Sequence, residues 1–179
     1  MKRLLVIGAV AFALTAPVAQ GQRGSHRGSG QIELGIDGGI IFGLDDPKVT
    51  VVGLPLQSFR LGYFLSPNVE IEPRFGITSI SSGGNSTTIY TLDAGLLFQP
   101  SGDRVGNGLY LRPFAGVSGV NVSGPGDFHS GHAGVGLGVK LPFADRRLAT
   151  RLETNFTHGF SGGGSNAIGV LIGLSFFTR

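Results

Sequence analysis

The 179 residues suit one domain, and their balance of 14 basic against 11 acidic side chains leaves little net charge. Cysteine is absent, which excludes a disulfide framework and a thiolate metal site. Hydrophobic residues make up 41% of the chain, yet beyond the amino-terminal segment no run approaches the eighteen apolar residues that a membrane-spanning helix needs.

Residues 1–21 have the layout of a secretory signal. Lys2 and Arg3 form a positive end, Leu4 to Leu14 an apolar core, and Ala19-Gln20-Gly21 a small-x-small cleavage site. Cleavage removes two of the basic residues and leaves the mature chain near neutrality, so its basicity gives no ground for nucleic-acid binding. Residues 22–30, rich in Gly, Ser, Arg and His, read as a flexible lead-in.

From Gln31 to the end, residues 31–179, the apolar residues recur with period two, the mark of strands with one apolar face. Ile32, Leu34, Ile36, Ile40 and Phe42 oppose Glu33, Gly35, Asp37 and Gly39. Asp45-Asp46-Pro47 ends this segment. A second sets Phe59, Leu61, Tyr63 and Leu65 against Ser58, Arg60 and Gly62, and Ser66-Pro67-Asn68 forms a tight turn. The third sets Ile71, Phe75 and Ile77 against Glu70, Glu72 and Arg74. After Gly- and Ser-rich residues 81–86, the fourth opposes Tyr90, Leu92, Leu96 and Phe98 to Thr91, Asp93 and Gly95. The fifth opposes Leu109, Leu111, Ala115 and Val117 to Tyr110, Arg112, Gly116 and Ser118.

In the sixth segment Ala133, Val135, Leu137, Val139, Leu141 and Phe143 alternate with His132, Gly134, Gly136, Gly138 and Lys140. The seventh opposes Leu148, Leu152, Phe156 and Phe160 to Arg151, Glu153, Asn155 and Gly159. The last opposes Ile168, Val170, Ile172, Leu174 and Phe176 to Ala167, Gly169, Gly173 and Ser175. Such segments are long for a soluble sandwich and match tilted strands crossing a bilayer, which take about 9–11 residues. The pattern predicts an all-β fold: an eight-stranded antiparallel up-and-down transmembrane β-barrel. The connectors near 44–50, 81–86, 123–131 and 161–166 would lie at one end, and those near 66–68, 100–108 and 144–147 at the other. The 32 glycines fit a crowded wall, where a missing side chain makes room.

The charges sharpen this. No Asp, Glu, Lys or Arg falls on an apolar face, while Glu33, Asp37, Arg60, Glu70, Glu72, Arg74, Asp93, Arg112, Lys140, Arg151 and Glu153 all fall on the opposite one. A Lys or Arg turned into lipid costs about 2–4 kcal/mol near the midplane, which explains the exclusion. An eight-stranded barrel has an interior just wide enough for side chains, so these acids and bases are expected to pair into a network that plugs the lumen. Lipid-facing residues would include Leu34, Ile36, Leu61, Tyr63, Phe75, Val135, Leu137, Val139, Phe156, Val170 and Ile172.

Three stretches carry a family resemblance: Leu61-Gly-Tyr-Phe-Leu-Ser-Pro-Asn-Val-Glu-Ile-Glu-Pro73, Leu109-Tyr-Leu-Arg-Pro-Phe-Ala-Gly116 and Gly169-Val-Leu-Ile-Gly-Leu-Ser-Phe-Phe177. Together they resemble the outer-membrane β-barrel superfamily that holds the OmpA-type transmembrane domain and the OmpX-like and OmpW-like proteins. The resemblance implies the outer membrane of a diderm bacterium. It also implies contact with outer-membrane lipid and lipopolysaccharide, and delivery by periplasmic chaperones to the barrel assembly machinery. Phe176, not the chain end at Thr178-Arg179, would supply the terminal aromatic of the assembly signal. A monomer is expected. The roles it leaves open are a structural or interaction barrel, a narrow channel or small-ligand conduit of OmpW type, and a lipid-modifying enzyme. With Trp absent, the interfacial aromatics would be Phe42, Phe59, Tyr63, Phe64, Phe98, Phe143 and Phe160. Pro73 and Pro113 are expected near the periplasmic rim, at bulges.

Catalytic sets are weak. His158 and Ser161 lack an orienting acid, since no Asp or Glu follows Glu153. Asp127, His129 and Ser130 crowd one Gly-rich stretch, read as a loop, and His129 with His132 lacks a third ligand. Gly162-Gly-Gly164 precedes a strand, so it is no phosphate loop. No catalytic, cofactor or metal site is assigned.

Overall fold

The computed structural model describes residues 29–45, 50–82, 85–100, 108–122, 128–143, 147–161 and 164–178. The signal-like residues 1–21 and most of the lead-in fall outside them, as does Asp127. Eight strands follow in chain order: β1 (Ile32–Gly43), β2 (Thr50–Ser66), β3 (Val69–Ser82), β4 (Asn85–Phe98), β5 (Gly108–Val122), β6 (Phe128–Phe143), β7 (Leu148–Gly159) and β8 (Ser165–Phe177). Each pairs antiparallel with its neighbours, and β8 closes on β1 into a barrel. The expected fold class is the observed one.

The barrel is staggered. Following paired residues once round from Glu33 returns to β1 at Gly43, ten residues higher, so the strands tilt strongly. The end where β1 begins and β8 finishes is here the lower end. The seam is fastened there by Thr178: its N–H donates to the Ile32 carbonyl at 2.9 Å, and its Oγ1 accepts from Ile32 N–H at 3.0 Å. Gln31 Nε2 donates to the Thr178 carbonyl at 2.7 Å. Thr178, beyond the terminal aromatic, therefore has a partner.

Side chains alternate outward and inward as the sequence period requires. Leu34, Ile36, Leu61, Tyr63, Val135, Leu137, Phe156, Val170 and Ile172 are exposed on the outer wall, and Phe75 and Val139 are half-buried there. Phe64 departs from expectation. It is fully buried, and its parity with Gly62 and Arg60 turns it into the lumen, so it is no interfacial aromatic.

The prolines also differ from expectation. Pro73 sits between the inward Glu72 and Arg74, pairs with Ala94 on β4 and leaves a gap in the β2 ladder between Arg60↔Arg74 and Tyr63↔Ile71. Pro113 pairs with Val135 and leaves a similar gap in the β4 ladder. In both gaps the register is unchanged. The missing N–H removes a ladder bond on one side only, and no bulge is needed. The register shifts lie elsewhere: next to the β2–β3 turn, between Phe64 and Ser66, and higher up, where Asp37 faces Ser58 but Gly39 faces Gly53, giving β2 three extra residues around Pro55.

Several strands run past their expected ends. β3 reaches Ser82, β4 begins at Asn85 and β6 begins at Phe128. His129 thus lies on the same strand as His132, not in a loop, and their odd spacing puts them on opposite faces of the wall.

Candidate functional site: the charge-packed lumen

All eleven predicted lumen residues turn inward and are buried. The ladder explains much of their meeting. Arg60 pairs directly with Arg74 in the ladder, so two cationic side chains start from facing positions and each needs acids around it. Arg60 donates to Glu33 Oε1 at 2.7 Å from Nη1 and to Asp37 Oδ2 at 2.7 Å from Nε, both reached across the β1–β2 ladder. Its Nη2 donates to Ser175 Oγ on β8 at 3.1 Å. Arg74 reaches across the lumen to both Glu153 oxygens on β7, at 3.2 and 3.3 Å.

Glu72 is the hub. Its carboxylate meets Arg60 at 3.3 Å, Arg74 at 3.5 Å and Arg112 at 2.9 Å, and it also pairs with Arg151. No neighbour along the chain supplies these cations apart from Arg74; they come from β2, β5 and β7. Arg112 also pairs with Asp93 and lies over the Phe114 ring, 4.7 Å from its centroid. Arg151 pairs with Glu153 and stacks on Tyr110 at 4.6 Å, while the Tyr110 hydroxyl donates to Glu153 Oε2 at 2.8 Å.

Below this hub, Lys140 pairs with Glu33 and with Glu70 Oε2, the latter at 2.7 Å. Its ammonium sits 5.3 Å from the Phe64 ring centroid and 5.8 Å from those of Tyr110 and Phe177. Phe64 and Phe177 pack together at 6.3 Å against Ala149, an apolar floor beneath the charges. Period two had already set Tyr110 on the charged face with Arg112. The floor aromatics Phe64 and Phe177 were missed, although their parity with Arg60 and Ser175 was the available signal.

Glycine makes the packing fit. A Cβ on Gly62 would stand 1.7 Å from Glu70 Oε1, and one on Gly35 would stand 2.4 Å from the Arg60 guanidinium carbon. Large charged side chains lie flat against wall positions that have no side chain of their own.

The upper half of the lumen is different. Its inward positions include Thr91, Ser118, Ser130, Thr157 and Ala167, all small, uncharged and half-buried. In the lower half, by contrast, Glu33, Glu70, Glu72, Arg112 and Lys140 show no exposed surface.

The weaker constellations come apart. Ser161 Oγ donates to the His129 carbonyl at 3.3 Å, while His158 Nδ1 meets Asn166 Oδ1 at 3.0 Å. His129 faces outward to the Tyr90 hydroxyl and Ser130 faces inward, so they share no site. Carboxylate oxygens of Glu33, Glu70 and Glu72 lie within 4.8 Å of one another. Lys140, Arg60 and Arg151 already neutralise this trio, which leaves a cation little to gain there.

A closed, staggered eight-strand barrel with a polar, packed interior defines a class, the fold of the small outer-membrane barrels. The amino-terminal barrel domain of Pseudomonas aeruginosa OprF matches with a TM-score of 0.51 at 20% identity, over 84% of this chain and 100% of that one. Ail, the attachment invasion locus protein of Yersinia pestis, matches with a TM-score of 0.53 at 10% identity, over 84% and 99%. A second structure of Ail, bound to the heparin analogue sucrose octasulfate, matches at 0.54 and 11% identity, over the same shares. At such identities the likeness concerns the fold. No family model and no curated protein matches the chain.

Proposed function

We propose that this chain is a small integral outer-membrane barrel with a structural or interaction role, its lumen closed by its own charges. The observation that carries the reading is the division of the wall. Among the described strand positions every Asp, Glu, Lys and Arg faces in, while the outward positions expose Leu, Ile, Val and Phe in a continuous belt. A soluble barrel would place charge outside; a bilayer forbids it. The lower end, where both barrel termini meet, faces the periplasm, as an even strand count requires of such proteins. The signal-like residues 1–21 agree with that route.

In this setting the belt contacts outer-membrane lipid and lipopolysaccharide. Periplasmic chaperones carry the unfolded chain, and Phe176, 45% exposed beside the buried Phe177, is the aromatic read by the assembly machinery. The barrel acts as a monomer, binds no nucleic acid, and works neither as an enzyme nor with a cofactor.

Refolding the mature chain in detergent and recording gel mobility with and without heating tests the barrel; single-channel recording in bilayers tests the closure. Heat-modifiable migration with little conductance is expected. A large, steady conductance moves the reading to a narrow channel of OmpW type. A change in lipid A composition on deleting the gene moves it to a lipid-modifying enzyme.

A further inference from the structure

We propose that the upper lumen is a dead-end pocket for one uncharged sugar ring, gripped by Asp93, Asn155 and His132. This deepens the interaction role and rests on the outer-membrane reading, in which the upper end faces outside. An eight-stranded barrel is just wide enough to fill with side chains or to hold one small ligand. Below, arginines, a lysine and aromatics fill it. Above, the inward Ser118, Ser130 and Thr157 are short, and even the inward Gly116 and Gly134 keep some exposure. Room for one small molecule is left over the plug.

His132 faces into that room. It is only 8% exposed and packs edge-on against Phe114, with ring centroids 6.2 Å apart, yet among the described residues its imidazole has no hydrogen-bond partner. A buried polar ring calls for one. Asp93, Gly116 and His132 face one another in a single row across β4, β5 and β6. A Cβ on Gly116 would stand 2.6 Å from that of Asp93, so the Asp93 side chain leans over the glycine. One Asp93 oxygen pairs with Arg112, which offsets its charge; the other has no partner among the described residues. Asn155 Nδ2 donates to Glu153 at 3.3 Å and leaves its Oδ1 unmatched, as are the hydroxyls of the half-buried Thr91 and Thr157.

These groups specify the ligand. Asp93 and Asn155 offer acceptor oxygens, while an imidazole and the hydroxyls both donate and accept. A partner rich in O–H groups answers both kinds. An anion would meet the Asp93 carboxylate, and a cation would meet Arg112 behind it. An apolar ligand would leave all of these groups desolvated and unpaired. One row above Thr91 and Ser118, the half-buried Ile89 and Val120 also turn inward and suit the C–H face of a sugar ring.

The test is an NMR titration of the refolded mature protein in detergent micelles with glucose, galactose, mannose and N-acetylglucosamine, read at the Gly116 and Gly134 backbone amides. At least one sugar should shift both amides saturably. Ser118→Leu and, separately, Ser130→Leu fill the pocket and should abolish the shift while heat-modifiable migration persists. His132→Ala should weaken binding about five- to tenfold, the loss of one hydrogen bond. No saturable shift with any of the four sugars, or a shift that survives both fillings, overturns the proposal. Unchanged affinity in His132→Ala overturns the grip by the imidazole. An oligosaccharide ending in the sugar that binds separates the sources: the same shift means that chain ends enter, and none means that only free sugar does. Absence of heat-modifiable migration in the parent would instead sink the outer-membrane reading.

Discussion

The two halves of the lumen are built on opposite principles. Below, Glu72 gathers cations from β2, β3, β5 and β7, and Phe64 and Phe177 close the space beneath Lys140. Above, Thr91, Ser118, Ser130 and Thr157 line a wall of small neutral groups with partial exposure. The same eight strands run through both, and the difference lies chiefly in the side chains they turn inward. Desolvated charges tolerate no missing partner, whereas small hydroxyls half open to water lose little on removal. Stability against substitution should therefore be concentrated in the lower half.

The largest effect is expected at the hub. Glu72→Ala leaves Arg60, Arg74, Arg112 and Arg151 facing one another without their shared acid. Breaking one partner of a desolvated pair costs about 3–5 kcal/mol. Urea unfolding from detergent micelles measures it, and a parent-like midpoint would mean that water already fills the lower lumen.

Next comes the outer belt, which both halves share. Leu137 is 55% exposed on β6, between Leu111 on β5 and Thr154 on β7. Leu137→Arg should destabilise the barrel in bilayers by about 2–4 kcal/mol and leave detergent-folded protein much less affected. Equal loss in both media would turn this wall from lipid to protein.

A smaller effect is expected at the seam. Removing Thr178-Arg179 deletes the clamp on Gln31 and Ile32, where each hydrogen bond contributes on the order of 1 kcal/mol. Exchange of the Ile32 amide should accelerate before that of β4 or β5. Unchanged exchange would show that the Leu34↔Phe176 ladder closes the barrel unaided. The smallest effect belongs to the upper lumen. Ser118→Ala removes a 3.5 Å contact to the Ser130 carbonyl and should shift stability by less than about 0.5 kcal/mol. A loss comparable to that of Glu72→Ala would erase the distinction between the halves.

Much of this was legible in one dimension. Period two assigned the outward face of every strand, because a strand has only two faces and every charge falls on one of them. That logic carried the eight strands, the antiparallel barrel and the membership of the lumen. Centring the β2–β3 hairpin on Pro67 was enough to set Arg60 against Arg74, since a tight turn sets its own register.

Parity could not say how deep a residue sits, nor which inward groups meet across the barrel. That depends on the stagger, which accumulates strand by strand around the whole ring and is invisible in any single segment. So Glu72 emerged as the hub, Phe64 moved from the interface to the lumen floor, and Pro73 and Pro113 rested in register without bulges. His129 and His132 became opposite faces of one strand. Local chemistry settled which way each side chain points; closure of the ring settled what it meets.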